Sequence, residues 1–414
     1  MHRSITLISG MLVAVAICIQ MAGAATNYVD RYGANPVPDY TNWATAATNI
    51  QDAVDVAAVG NTVLVSNGVY DTGGKKTPSY ALTNRVCATT AIILRSVNGP
   101  NSTFIKGQPS PEAGGLGTGA VRCVYLAGGA SLIGFTLTNG YAMTNGSLEY
   151  DQGGAGVMVI TSGSVSNCVM VGNSGSYYGG GACLWWGGTL NNCIISNNQC
   201  VRYGGGVRLY GAVDNPAIMN NCIVVGNTGT VAFGTGVEMD YYSEANNCLI
   251  AGNIGSGTYA GGVFAWHGPI TLNSCTIAGN DSGISENSKG GGITWYQSTA
   301  SSMTNCIVWG NLGTGGYSNI IDVSHVSAPA YSYTCSGPVQ TGTGNTGSDP
   351  LYVGQASGDY RLTKYSPCVN VGIYQSWMTD ADDIDGHRRL DKFSGIVDLG
   401  CYEYIPQGTL VSVP

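Results

Sequence analysis

The chain has 414 residues, of which 63 are glycine, 10% are charged and 44% are hydrophobic. That apolar share excludes a disordered chain, which is richer in charge and poorer in hydrophobic residues. A net charge of −8 with scattered basic residues excludes the basic footprint of a nucleic-acid binder.

In chain order, Met1-His2-Arg3 is a short basic start, Ile5 to Ile19 is mostly apolar, and Ala22-Gly23-Ala24 fits a small-x-small cleavage site. This pattern predicts a secretory signal over 1–24 and an exported, secreted or cell-surface chain. Its removal takes away Arg3 and leaves 15 basic against 24 acidic residues. No later segment is apolar enough for long enough to span a bilayer. The segment 45–60, "TAATNIQDAVDVAAVG", predicts one helix, with Thr48 or Asn49 as cap, Ile50, Val54 and Ala57 on one face, and Gly60 past the end. The stretches "NTVLVSNGVY", "AIILRSVNG" and "GASLIGFTLTNG" (129–140) read as short strands broken by turns.

From 153 to 311 the chain repeats. Cys168, Cys193, Cys222, Cys248, Cys275 and Cys306 recur every 25 to 31 residues, each followed five places later by Asn: Asn173, Asn198, Asn227, Asn253, Asn280 and Asn311. Glycine clusters such as Gly179-Gly180-Gly181 lie upstream of each cysteine. A fixed period of this length is the mark of a solenoid. The alternation at two, without a 3.6-residue pattern, makes each repeat one coil of a parallel β-helix, stacked at ~4.8 Å. Equivalent Asn side chains then form a ladder, and the cysteines face the core as small buried hydrophobes rather than disulfides. Cys368 and Cys401, outside the repeats, are the candidates for a pair. We expect about ten coils over 25–345, a C-terminal cap over 346–405 and a tail over 406–414.

The glycine clusters set the register of the outward side chains. Met158, Cys183, Arg208, Glu238, Phe264 and Thr294 form one outward column, and Ile160, Trp185, Tyr210, Asp240, Trp266 and Tyr296 form the next. Tyr178, Tyr203, Phe233, Tyr259 and Lys289 precede the glycines. An exposed aromatic face of this kind suits sugar rings, so Trp185, Tyr210, Trp266, Tyr296, Tyr178, Tyr203 and Tyr241 are expected to bind a polysaccharide or cell-surface glycan. The alternatives are an aromatic stack that stabilises the solenoid and a protein-contact surface. Glu238 and Asp240 interrupt the aromatics, with Arg208 one coil before, His267 one coil after, and Arg202 near. Two carboxylates beside sugar-stacking rings are what glycoside hydrolysis requires. Elimination is the rival chemistry, with Arg208 or His267 as base and calcium held by Glu238 and Asp240. An exposed Arg208–Glu238 ion pair is the third reading. The acidic run Asp380, Asp382, Asp383 and Asp385 lacks calcium-loop spacing and reads as a carboxylate–arginine network with Arg388 and Asp398 or Glu403.

The entry "YVDRYGANP…NWATAATNIQDAVDVAAVGNTVLVSNGVY" resembles that of bacterial right-handed parallel β-helix proteins of the pectin-lyase-like superfamily. The tail resembles choice-of-anchor Q domain-containing proteins at Asp349-Pro350, Gly358 to Leu362, Ser366-Pro367-Cys368, Asp385-Gly386, Arg388 and Asp398-Leu399-Gly400. Cys401 stands where a small residue is usual, and the ending "PQGTLVSVP" lacks the usual anchor signals. The repeats are more loosely similar to polymorphic outer-membrane proteins. The resemblance implies an all-β, single-stranded right-handed solenoid with an N-terminal capping helix and a C-terminal cap. It does not choose among the lyases, hydrolases, epimerases and adhesins of the superfamily.

Overall fold

The computed structural model describes residues 24–406, apart from 231–232, 284–289, 315, 326 and 391–394. Residues 1–23 of the expected signal, Lys289, and the tail beyond 406 lie outside the described residues. The chain is a right-handed parallel β-helix of about 9 turns, close to the ten expected. Three long sheets run its length. Sheet 1 has 11 strands, from Thr26–Val29 to Ala330–Ser332. Sheet 2 has 10 strands, from Gly68–Tyr70 to Cys335–Ser336, and sheet 3 has 10, from Lys75–Lys76 to Ile320–His325. One coil shows the path: Ala182–Trp185 lies in sheet 3, Gly188–Asn191 in sheet 1 and Ile194–Ser196 in sheet 2. Gln199–Cys200 then joins a minor 4-stranded sheet before Val207–Tyr210 opens the next coil.

The sequence rules of the repeat become backbone geometry. The residue before each cysteine turns the corner between sheets 1 and 2 in the left-handed region: Asn167, Asn192, Asn221, Asn247 and Asn305 have φ between 51° and 55°. Asn tolerates that region better than most side chains. The cysteine then points inward. Thirteen cysteines are unpaired and buried. Those at the corner donate back to the carbonyl two residues earlier, as in Cys222 to Asn220 at 3.2 Å. The expected ladder is formed. Asn198 Nδ2 donates to Asn227 Oδ1 at 3.0 Å, Asn227 to Asn253 at 2.9 Å and Asn253 to Asn280 at 2.9 Å. Each amide also donates to a carbonyl of the preceding coil, as Asn227 does to Ile195 at 3.0 Å. A buried amide with its partners supplied in this way avoids the cost of an orphaned polar group. The glycine clusters have two causes. Gly179 adopts φ 55°, while a Cβ at Gly180 would run into the carbonyl oxygens of Gln199 and Gly205 in the next coil.

The helix is shorter than 45–60 and spans Ile50–Val56. Trp43–Thr45 is a separate 3₁₀ turn, and Ala57 is already extended. Asn49 is the cap, its side chain accepting from Asp52 N at 3.0 Å. Ile50, Ala53 and Val54 are buried in the main core with Val63 and Val86, which closes the first coil. The C-terminal segment packs along the side of the solenoid. It folds back over the outer face of sheet 2, where Tyr360, Cys401 and Tyr402 cover Leu249 and Ala278. Cys368 and Cys401 do not pair. Cys368 packs beside Cys335, and the Cys401 backbone donates to Thr276, because the two cysteines sit over different coils. The expected network of the acidic run forms on Arg389, not Arg388. Arg389 is fully buried, reaches Glu403 at 3.2 Å and donates to the Gly400 carbonyl at 2.8 Å. Arg388 is exposed and meets Asp382 at 3.4 Å.

Candidate functional site

The outward columns of sheet 3 have the expected register. Arg208 pairs with Glu238, and Tyr210 with Asp240. Asp240 in turn pairs with Trp266, and Trp266 with Tyr296. Their exposure differs from expectation. The segments entering the glycine clusters fold over this face, so Tyr178 and Tyr203 lie on top of it and are buried with Trp185, Met158 and Cys183 in a second apolar cluster. Phe233 stacks on Tyr203 at 4.7 Å and Tyr259 on Phe233 at 4.9 Å, extending this cover from coil to coil. Trp185, Tyr178 and Tyr203 are therefore packing residues and offer no open sugar platform. Phe264 and Thr294, expected to face out, are buried under the same layer.

Arg208 sits inside this cover. Its guanidinium lies 4.0 Å from the Tyr178 ring centroid and 5.1 to 5.5 Å from those of Tyr203, Trp185 and Tyr210. It reaches Glu238 at 2.9 Å and Asp240 at 3.2 Å. The exposed ion pair expected from the sequence is thus a buried one, with the Glu238 side chain 0% exposed. The contact to Glu238 is close but out of line, so both Glu238 oxygens are buried without a hydrogen bond. Burial pushes the Glu238 carboxyl up to about 8, against Arg208 and with help from Asp240. Burial also raises Asp240, opposed by Arg208 and His267. On Arg208 burial disfavours the charge, and the two carboxylates more than offset it, so its pKa rises. Arg202 does not join them: it donates to the Tyr177 hydroxyl at 3.0 Å. Calcium does not fit between Glu238 and Asp240, because the Arg208 cation already occupies their shared side. No group of three or more potential metal ligands occurs among the described residues.

The surface lies one step further out, at the corner between sheets 3 and 1. His267 Nδ1 is 2.8 Å from Asp240 Oδ1, and the His267 side chain is 29% exposed. The imidazole stacks parallel to Tyr241 at 4.5 Å and to Trp266 at 4.6 Å. Tyr241 meets Tyr210 at 5.6 Å, and Tyr210 meets Trp186 at 4.9 Å. Trp186 is 45% exposed, and Tyr210, Tyr241, Trp266 and Tyr296 are partly exposed. Trp186, Tyr241 and His267 all occupy left-handed corners, with φ of 63°, 27° and 60°. For a bulky residue this costs on the order of 1–3 kcal/mol. Sequence reasoning missed Trp186, although it directly precedes the corner glycines Gly187 and Gly188. Chemically, a buried carboxylate that accepts a hydrogen bond from Nδ1–H fixes the imidazole and leaves Nε2 with the free lone pair. Glu238 is sealed beneath Arg208 and touches no solute, so the expected pair of accessible carboxylates is not formed.

No family model matches the chain, and no curated protein matches it. Among solved structures, the crystal structure of pectate lyase Pel9A aligns with a TM-score of 0.50 and 13% identity, over 93% of this chain and 97% of that one. A rhamnogalacturonan lyase aligns with a TM-score of 0.44 and 13% identity, over 85% and 97%. The likeness to the pectate lyase is one of fold, the right-handed parallel β-helix. No helix among the described residues is long and apolar enough to cross a membrane.

Proposed function

We propose that this is an exported β-helix protein that binds a polysaccharide along the corner between sheets 3 and 1, with Asp240 and His267 as its proton-handling pair. The observation that carries the reading is the row of partly exposed rings from Trp186 through Tyr210 and Tyr241 to Trp266, set around an imidazole held by a buried carboxylate. With Tyr296 the row crosses five coils, about 19 Å at the strand spacing, which suits a polymer more than a single sugar. In this reading His267 is the base for elimination or the acid–base group for cleavage. Asp240 orients it, and Arg208 and Glu238 are positioning residues. The pectate lyase that shares the fold acts on a polysaccharide, and the choice-of-anchor Q likeness of the tail is kept as part of the same proposal.

The test uses the full chain with a panel of neutral and uronic polysaccharides. Retention in glycan-containing gels, reducing ends and absorbance of unsaturated products are read together. Trp186→Ala with Trp266→Ala abolishes retention while the melting temperature holds, and His267→Ala abolishes any turnover while retention holds. Turnover that persists in His267→Ala sinks the assignment of the base. Retention that persists in the double Trp variant sinks the corner as the binding face. Retention without turnover in the unmodified protein leaves a non-catalytic adhesive β-helix, the reading favoured by the burial of Arg208 and Glu238.

A further inference from the structure

The other edge of sheet 1, where the chain turns into sheet 2, holds a cavity of ≈ 340 Å³. Its floor is a second amide ladder, distinct from the buried one. Asn220 Nδ2 donates to Asn191 Oδ1 at 2.9 Å, Asn246 to Asn220 at 3.0 Å and Asn273 to Asn246 at 2.8 Å. The corner residues Asn192 and Asn221 flank it. A carboxamide has two N–H donors and two lone pairs, and this ladder uses one of each. Asn220 and Asn246 therefore keep a donor and an acceptor for a ligand, and both are partly exposed.

The C-terminal segment supplies the opposite wall. Gln375 Nε2 donates to Asn273 Oδ1 at 3.0 Å, which terminates the ladder, and Trp377 Nε1 donates to Gln375 Oε1 at 3.1 Å. The ladder thus fixes the wall, and the partly exposed Trp377 lines the groove together with the row of amides. The lining carries one charged side chain, Asp382, which is exposed and paired with Arg388. The buried Arg389 beneath is matched by Glu403. No cation faces the groove among the described residues that line it.

We infer that this groove is a second carbohydrate site, shaped for an uncharged, hydroxyl-rich polymer such as a neutral glycan chain. The amides repeat at the strand spacing of ~4.8 Å, comparable to one pyranose along an extended chain. Each repeat offers one donor and one acceptor to sugar hydroxyls, and the indole offers a flat apolar face. The one charge on the lining is the Asp382 carboxylate, which disfavours a uronic chain. The site lies across sheet 1 from the His267 corner and does not depend on the reading of that corner.

The test is calorimetric titration of the full chain with xylo-, cello- and manno-oligosaccharides, with an oligogalacturonide as the charged probe. Trp377→Ala and Ala381→Phe, which fills the groove without deleting an amide, each weaken neutral-glycan binding about tenfold or more. Trp377→Tyr retains binding, and the titrations are repeated in the Trp186→Ala, Trp266→Ala background so that binding at the other corner does not contribute. Melting curves exclude unfolding, and either variant alone suffices if the other unfolds. The inference is overturned if no neutral oligosaccharide binds, if both groove variants bind as the unmodified protein does, or if the oligogalacturonide is preferred.

Discussion

Replacing Arg208 by Met tests the electrostatics of the candidate site directly. Arg208 is the cation shared by Glu238 and Asp240, and both carboxyls are buried. Glu238 sits at about 8, well above its ordinary 4.5. A carboxyl raised on folding binds its proton more tightly in the native state. The stability it contributes is full below 4.5 and is lost as pH rises through about 8, with a slope on the order of 1 kcal/mol per pH unit. At pH 5 Glu238 is neutral with or without Arg208, so the variant loses the cation–ring contacts, about 2 kcal/mol, and the hydrogen bond to Asp240 but no pairing with a charged Glu238. At pH 9 removal of the cation leaves buried carboxylates without a partner, a cost of about 3–5 kcal/mol. The penalty therefore grows with pH. The assay is urea denaturation of both proteins at pH 5 and pH 9. Adding Glu238→Gln to the variant recovers part of the loss at pH 9 and little at pH 5. A penalty that is equal at the two pH values refutes the argument that Glu238 is neutral in the folded protein below about 8.

The remaining predictions concern the scaffold. Asn227→Ala removes the acceptor of Asn198 N and Nδ2 and the donor to Ile195, leaving several buried polar groups without partners. At about 1–3 kcal/mol for each, a loss of more than about 3 kcal/mol is expected in denaturant titration, and a loss below about 1 kcal/mol refutes the ladder's structural weight. Gly180→Ala drives a Cβ into two carbonyl oxygens of the next coil, so strongly lowered thermal stability is expected, and an unchanged melting temperature contradicts the packing. The thirteen described cysteines are buried and unpaired, so a thiol reagent labels few or none in the native protein and all of them in denaturant. Failure to label in denaturant without reductant would reveal disulfides. Glu403, raised by burial to about 8 and countered by Arg389, adds to the loss of stability as pH rises from about 4.5 to about 8. Glu403→Gln therefore flattens the stability profile between pH 5 and pH 9, and an unaltered profile argues against its neutral state.

The repeat, and everything that follows from translation along one axis, was legible in the residue spacing alone. Cys168 to Cys306, the Asn five places on and the alternation at two establish which residues face the core. They also establish that Arg208, Glu238 and Phe264 share one column, and Tyr210, Asp240 and Trp266 the next. Register was legible because stacking makes equivalent positions neighbours. What lies outside the coils emerges only from the three-dimensional fold. The segments bearing Tyr178, Tyr203 and Phe233 fold back over sheet 3, and that turns an open aromatic column into a second core and the Arg208–Glu238 pair into a buried one. The path of a connecting segment depends on packing between coils, which periodicity does not encode. The same holds for the C-terminal segment, which buries Arg389 in place of Arg388 and brings Trp377 to the groove of the outer amides. His267 was visible as a residue near two carboxylates. Its role as the exposed end of that cluster exists only once the corner residues take left-handed backbone and the imidazole meets Asp240.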